Sequence, residues 1–193
     1  ALAAVILVRA ATLKSRQVAA APVEPISLDR AGIVQRLAEA IQFKTISFQS
    51  PTESSAEEFQ RLHSFIAKSF PLVHAQLAKE IVNDYSLLFT WKGKNERQKP
   101  ILLMAHQDVV PVDPASEQSW TRAPFSGQIA DGFIWGRGAM DDKASVMSIL
   151  EAVEHLLKDG FTPERTIYLA FGHDEEIGGN NGAAKIAELL RSR

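Results

Sequence analysis

Two short and almost continuously apolar runs, with one long amphipathic stretch between them, constrain the fold of this chain more than any other feature. Residues 101–105 (ILLMA) and 166–171 (TIYLAF) are typical of strands that are covered on both faces of a sheet. Residues 143–158 carry apolar side chains at helical spacing and Gly160 follows them, which predicts a helix. Strands joined by such a crossover favour an α/β layered domain with a largely parallel sheet.

Weaker patterns on either side of this unit predict the other elements. They are helices over residues 29–42 (with Asp29 as cap), 55–69 (ended by Pro71) and from 182 to 191, strands within 77–90, a loop at 51–53 and a charged hairpin-like turn over 93–99. Residues 107–138 are rich in proline, glycine and aromatic side chains and predict a long loop. A loop of that length inside a compact domain is usually functional.

The start of the chain predicts a segment separate from the folded domain. Residues 1–11 begin ALAAVILV; a bilayer span needs about 20 apolar residues, so this run predicts the end of a membrane anchor or of a signal segment. A disordered, alanine-rich leader is the alternative. Residues 12–27, including basic Lys14 and Arg16, predict a linker, and residues 28–193 the folded domain. We expect a membrane-anchored or secreted protein, although a cytoplasmic location stays compatible with the sequence.

Composition excludes several classes of function. With 21 Lys and Arg against 23 Asp and Glu, the chain offers no broad electropositive surface for nucleic acid. The absence of cysteine excludes disulfides, thiolate metal sites and cysteine nucleophiles. The sequence also lacks a Walker glycine loop, a Gly-x-Ser-x-Gly elbow and a His-Glu-x-x-His helix. Nucleotide binding, serine hydrolysis and thermolysin-like chemistry therefore lose their main support.

Three clusters of imidazole and carboxylate side chains follow the predicted strands or a glycine turn. They are HQD at residues 106–108, GRGAMDDK at 136–143 and HDEE at 173–176. In an open α/β sheet, ligands bind where loops converge beyond the carboxyl ends of the strands. A neutral His106 can bind a metal ion while Asp108 accepts its other ring N–H. Each cluster alone is more often a solvated turn, but together the three predict a site for divalent cations.

The order and spacing of these motifs resemble a known family of enzymes. LLMAHQDVVPV, Trp120, PFSG at 124–127, Asp131-Gly132, GRGAMDDK and HDEE resemble the co-catalytic di-zinc peptidases that include aminoacylase, carboxypeptidase S and succinyl-diaminopimelate desuccinylase. The similarity covers about residues 28–193 and is greatest to the subgroup of carboxypeptidase S and N-fatty-acyl-amino-acid synthase/hydrolase. It implies a three-layer, zinc-exopeptidase-like domain with a mostly parallel central sheet flanked by helices.

The same resemblance implies a role for each site residue. His106 is expected to bind one zinc ion, with Asp108 orienting its ring, and Asp141 to bridge the two zinc ions. The resemblance also implies a cis peptide bond between Asp141 and Asp142. Glu176 is expected to bind the second zinc ion. Glu175 is the expected general base, which takes a proton from a water held between the metals before that water attacks an amide carbonyl.

The expected function is zinc-dependent hydrolysis of peptide or N-acyl-amino-acid amide bonds, with small substrates of those classes as partners. The resemblance places one more acidic ligand, a histidine ligand and a lid domain beyond Arg193, so we expect these 193 residues alone to be inactive and to bind zinc loosely. Two alternatives remain: an inactive, membrane-tethered relic used as a binding or structural module, and a di-zinc aminopeptidase of related fold. The oligomeric state is left open.

Two features of the long loop have more than one interpretation. Arg137, between two glycines, either steers a substrate carboxylate or pairs with a carboxylate such as Asp142. The aromatic side chains of Trp120, Phe125 and Trp135 either line a substrate pocket or pin the loop to the domain, and pinning is the commoner role of such residues.

Overall fold

The computed structural model describes residues 2–14, 17–18, 20–22, 25–50 and 54–193. The helices in them are α1 (Leu2–Ala11), α2 (Arg30–Ile41), α3 (Ala56–Ser69), α4 (Pro71–Gln76), α5 (Pro114–Glu117), α6 (Lys143–Lys158) and α7 (Ala183–Arg191). The strands are β1 (Ala78–Val82), β2 (Ser86–Trp91), β3 (Ile101–His106), β4 (Gln128–Ala130), β5 (Phe133–Trp135) and β6 (Ile167–Gly172). The loop predicted at residues 51–53 lies outside this described part.

The central sheet has the strand order β1-β2-β6-β3. β1 and β2 form an antiparallel hairpin, β2 is antiparallel to β6, and β6 is parallel to β3. The predicted α/β class, with a sheet flanked by helices, is confirmed. The prediction that the sheet is largely parallel is wrong for these strands. A tight turn joins β1 to β2 and makes that pair antiparallel, and only β3 and β6 are joined through a helical crossover that makes them parallel.

Helices cover both faces of this sheet, in three layers. Successive strand residues point to opposite faces, so Phe171 of β6 packs beneath α2, α3, α4 and α6, whereas its neighbour Ala170 packs against α7. The larger core lies on the first face and includes Ile66 of α3 and Leu150 of α6, both fully buried. The smaller core contains Ile186 of α7.

Local sequence signals fix most helix ends. α6 has the predicted bounds, and Gly160 after it adopts a positive φ of 73°, which glycine does without steric cost. α2 begins directly after Asp29, whose carboxylate accepts the backbone N–H of Gly32 at 3.0 Å. α3 ends before Pro71 as predicted, but the same proline starts α4, because the first helical turn needs no N–H from it.

The hairpin-like turn predicted over residues 93–99 is wrong. It connects β2 to β3, and β6 lies between those two strands. The connection instead runs beside the segment that precedes β6, where the backbone N–H of Lys94 donates to the carbonyl of Pro163 at 3.0 Å. The tight hairpin joins β1 to β2, with φ of 48° at Asn83 and 73° at Asp84, a conformation that Asn and Asp adopt more readily than most residues.

β3 is less covered than its apolar sequence predicts. Leu103 and Ala105 pack against the larger core, but Leu102 is 43% exposed and Met104 57% exposed. β3 has β6 as its single neighbour among the described strands, so it is an edge strand here and α7 shields only part of its second face.

The long loop predicted over residues 107–138 contains short elements of its own. They are α5 and an antiparallel pair of strands, β4 and β5. The indole N–H of Trp135 donates to the carbonyl of Ala130 at 3.0 Å, and the ammonium of Lys44 lies 5.4 Å from the ring centre of Phe125. These contacts fit the pinning role for the loop's aromatic side chains.

The N-terminal helix α1 buries none of its residues. It is also too short to cross a membrane, as is every helix in the described part of the chain. The predicted linker, residues 12–27, contains no helix or strand where it is described, and residues 15, 16, 19, 23 and 24 of it, including the basic Arg16, lie outside that part.

Candidate metal centre

His106 ends β3 and directs its ring toward two carboxylates. Its Nε2 lies 2.9 Å from Oδ1 of Asp141. Its Nδ1 lies 3.1 Å from the backbone carbonyl of Asp108 and 3.2 Å from that residue's Oδ1. Because the Asp108 oxygens are acceptors, Nδ1 carries the proton in the neutral ring, and the Nε2 lone pair is directed toward Asp141.

Asp108 connects the first predicted cluster to the third. Its side chain is fully buried, and its two oxygens each accept a backbone N–H at 3.1 Å, Oδ1 from Glu175 and Oδ2 from Glu176. Carboxylates that accept backbone N–H groups form the stronger class of hydrogen bond. One side chain therefore orients the imidazole of His106 and fixes the turn that bears both glutamates.

The second cluster lies directly before α6 and supplies two aspartates to the metal centre. The side chain of Asp141 is 78% exposed apart from its contact with His106, and the peptide bond to Asp142 is cis, as the family resemblance implied. Asp142 accepts the backbone N–H of His106 at 3.2 Å. Both aspartates therefore contact the residue that ends β3, one at its ring and one at its backbone.

The two glutamates lie on a 3-10 turn, Glu175–Ile177, which Gly178 ends with a φ of 109°. Ligand atoms of His106, Asp141 and Glu176 all lie within 4.8 Å of one another. Glu175 is close to this group but outside it: its Oε2 lies 3.7 Å from Nε2 of His106, and its side chain is 59% exposed. The structure thus brings together the three predicted ligands, with the predicted base beside them.

The electrostatics of the cluster suit a bound cation. Burial lowers the pKa of His106, but the surrounding carboxylates outweigh burial and raise that pKa to about 9, Asp108 most strongly and then Asp141. Burial and the negative charge of Asp141 raise the pKa of Glu176. No Lys or Arg in the described ranges forms an ion pair with these carboxylates. A metal ion would take the place of the missing positive charge, displacing the proton from His106.

Several residues that support the centre were not predicted. Gln107 and Lys143 are almost completely buried, and the Lys143 ammonium donates to the carbonyls of Ala40 at 2.9 Å and Phe43 at 2.5 Å. Both residues lie inside predicted motifs, and a polar side chain between a candidate ligand and its orienting partner is the signal that could have found Gln107. The contact of Lys143 with the end of α2 has no local sequence signal.

His173 and Arg137, which lie within the predicted clusters, contact neighbouring side chains. Nδ1 of His173 lies 2.7 Å from the Ser86 hydroxyl, and its backbone carbonyl accepts from the hydroxyl of Ser47. The guanidinium of Arg137 lies over the ring of Trp120, 5.3 Å from its centre. An ion pair of Arg137 with Asp142, which the sequence left open, is not among those of the described residues.

Comparison with known families agrees with this geometry. Residues 102–193, which hold all three clusters, match the model of the family described as peptidase family M20/M25/M40. These 92 of the 193 residues are similar to an M20 peptidase domain. The resemblance stated from the sequence is thereby confirmed.

Two curated proteins illustrate the relationship. Probable carboxypeptidase S-like 2 of Dictyostelium discoideum is 55% identical over 156 residues, which are 80% of this chain and 30% of that protein. N-fatty-acyl-amino acid synthase/hydrolase PM20D1 of Mus musculus is 46% identical over 167 residues, which are 86% of this chain and 32% of that protein. The chain therefore spans about a third of the length of these relatives.

Two solved structures share the fold. Human carnosine dipeptidase 1 has a TM-score of 0.64 at 20% identity, over 84% of this chain and 35% of that one. The M20 family metallo-carboxypeptidase Sso-CP2 of Sulfolobus solfataricus has a TM-score of 0.58 at 28% identity, over 78% of this chain and 32% of that one. The fold is thus that of M20 metallopeptidases.

Proposed function

We propose that this protein is a two-zinc hydrolase of peptide or N-acyl-amino-acid amide bonds. The observation that carries the proposal is the convergence of His106, Asp141 and Glu176 within 4.8 Å of one another, beside an exposed Glu175. The relatives' names support the substrate classes, because they include carboxypeptidase S-like proteins and an N-fatty-acyl-amino acid synthase/hydrolase.

The donor set fits zinc, which binds imidazole nitrogen and carboxylate oxygen. His106 would bind one ion and Glu176 the other, and Asp141 has two oxygens with which to contact both. Zinc held there would supply Lewis acidity, lowering the pKa of a bound water and polarising the scissile carbonyl.

The remaining roles belong to two acidic side chains. Asp108 holds the proton on Nδ1 of His106, which keeps Nε2 free to bind. Glu175 takes the proton of the attacking water and returns it to the leaving amine. The hydrogen bond to Asp108 fixes the backbone of Glu175, while the Glu175 side chain is exposed and near the cluster. Glu175 can therefore reach a substrate from a fixed backbone position.

The alternatives are separable by substrate. An inactive relic would bind metal without turnover. The joint presence of the candidate ligands His106, Asp141 and Glu176 with the candidate base Glu175 gives that alternative no support. A related aminopeptidase would require a free amino end. We favour substrates with a free carboxyl end, on the basis of the relatives' names.

Glu175→Gln in the full-length gene product tests the proposal. We expect unchanged zinc content and a fall of about 10²- to 10⁴-fold in kcat on an N-acyl amino acid, since the amide cannot accept the proton. Glu57→Gln, an exposed substitution on α3, is the matched control. Unchanged kcat in Glu175→Gln would refute the assigned base, and a wild type that hydrolyses only substrates with a free amino end would favour the aminopeptidase.

We also propose that α1 associates with a membrane surface. It exposes Leu2, Ile6 and Leu7 by more than half, and none of its residues is buried. Arg9 follows this apolar stretch and would suit anionic headgroups.

A further inference from the structure

Gln107 is a buried polar residue beside the centre, and hydrogen bonds fix both its backbone and its side chain. It lies between His106 and Asp108 and is fully buried. Its backbone N–H donates to the carbonyl of Gly172 at 2.8 Å, and its backbone carbonyl accepts from the hydroxyl of Thr45 at 2.7 Å. A residue held in this way fixes the directions of the two side chains that flank it.

The side-chain amide of Gln107 has one satisfactory orientation. Its Nε2 lies 2.9 Å from the backbone carbonyls of both Tyr85 and Phe171, and these acceptors use both of its N–H groups. The reverse orientation would direct the amide oxygen at two carbonyl oxygens. The oxygen must therefore face the other way, where it needs a donor, because a buried acceptor left unpaired is costly.

His63, on α3, supplies that donor. It is half-buried, and its Nε2 is 2.8 Å from Oε1 of Gln107. Burial lowers the pKa of His63, which favours the neutral ring. The neutral ring then has to carry its proton on Nε2, since Gln107 presents only an acceptor.

We propose that His63 is a positioning residue of the metal centre and acts on His106 and Asp108 by holding the amide of Gln107. The proposal rests on the proposed metal site, because it concerns how the ligands of that site are oriented. Without the donor, the Gln107 oxygen would be buried and unpaired, and the amide would have to rotate away from Tyr85 and Phe171 to find another. That rotation would move Gln107 and so change the directions of the adjacent His106 and Asp108 side chains.

The test compares two amide substitutions in the full-length protein. Glutamine places its side-chain nitrogen close to the position of Nε2 in histidine, whereas asparagine reproduces the position of Nδ1. His63→Gln therefore keeps a donor for Gln107, and His63→Asn and His63→Leu remove it. His74→Leu is the matched control, because His74 is also half-buried with a pKa lowered by burial, but its Nδ1 contacts the carbonyl of Phe70.

The readouts are Co2+ affinity and the Co2+ absorption spectrum, with thermal unfolding recorded for each variant. We expect Co2+ to bind about tenfold or more weakly in His63→Asn and His63→Leu, with a changed spectrum. We expect His63→Gln and His74→Leu to bind as the wild type does, even where their unfolding temperature falls. In a Gln107→Met background, His63→Asn should have no further effect on affinity.

Three outcomes separate the possibilities. Wild-type affinity in His63→Asn would overturn the positioning role and leave the metal site intact. Equal weakening in His74→Leu would also overturn it, because the effect would then be general destabilisation. A wild type that binds no Co2+ would instead overturn the proposed function itself.

Discussion

At the scale of single residues, Asp108 has the most demanding position in the centre. Its carboxylate accepts the backbone N–H groups of Glu175 and Glu176 and faces Nδ1 of His106. It is also fully buried, where an unmet hydrogen-bonding group costs about 1–3 kcal/mol. Donors surround this side chain, so both of its oxygens must accept hydrogen bonds, and a side chain that carries a donor does not fit the position.

Asp108→Asn tests that requirement. The substituted amide must direct an N–H at another N–H, so we expect Co2+ affinity to fall by about 10- to 100-fold. Titration followed by absorption measures the effect. Asp84→Asn in the β1–β2 turn is the control, since asparagine also adopts the positive φ found there. Equal affinity in Asp108→Asn and the wild type would contradict the orienting role.

At the scale of elements, α1 is a ten-residue helix that buries none of its residues. Its large apolar side chains are more than half exposed, and a lipid surface would bury them although the helix is too short to span a membrane. The helix is short, and the expected association is correspondingly weak and reversible.

Vesicle co-sedimentation of the full-length protein tests this association. We expect binding to vesicles that contain anionic lipid, with weaker binding at higher salt, and little binding after Ile6→Asp, which places a charge in the apolar stretch. Lys14→Gln should retain the apolar contribution and lose part of the salt dependence. If Ile6→Asp binds as the wild type does, α1 is not the membrane-binding element.

Elements also show where sequence was sufficient and where it was not. α6 and Gly160 were predictable because helix periodicity and its stop signal are local. The place of β6 between β2 and β3 was not, because strand order is set by pairing between distant segments, and the turn at residues 93–99 was misassigned for that reason. The exposed second face of β3 follows from the same strand order.

In the metal centre, too, some residues were predictable from the sequence and others were not. The proximity of His106, Asp141 and Glu176 was predicted because each follows a strand or a glycine turn at the same edge of the sheet. His63 and Lys143 were not predicted as supports, since their contacts join segments far apart in sequence. A sequence motif identifies which side chains form the site, whereas the polar contacts that orient those side chains depend on the tertiary fold.

At the scale of the whole molecule, metal binding should stabilise the fold. A cation at the cluster would hold β3, the start of α6 and the turn after β6 together. Ligand linkage gives about 2.7 kcal/mol when free zinc exceeds its dissociation constant 100-fold. For a domain of this size, each kcal/mol corresponds to about 2–4 °C in Tm.

We therefore expect chelation to lower the Tm of the full-length protein by several degrees, and zinc to restore it. Calorimetry with and without chelator measures the shift. Glu176→Gln should lose most of it because one ligand is impaired, whereas Glu57→Gln should keep it. A wild-type Tm that does not respond to chelator would contradict the proposed site.

The pairing of β3 with β6 has a consequence for the order of events in folding. His106 lies opposite Gly172 at the end of that parallel pair, and a slip of one residue would turn its ring to the other face of the sheet. The glutamates on the far side of the pair would then have no imidazole to meet. Only molecules that have found this register can assemble the three ligands, so metal capture reports that the slow, long-range step of folding is complete.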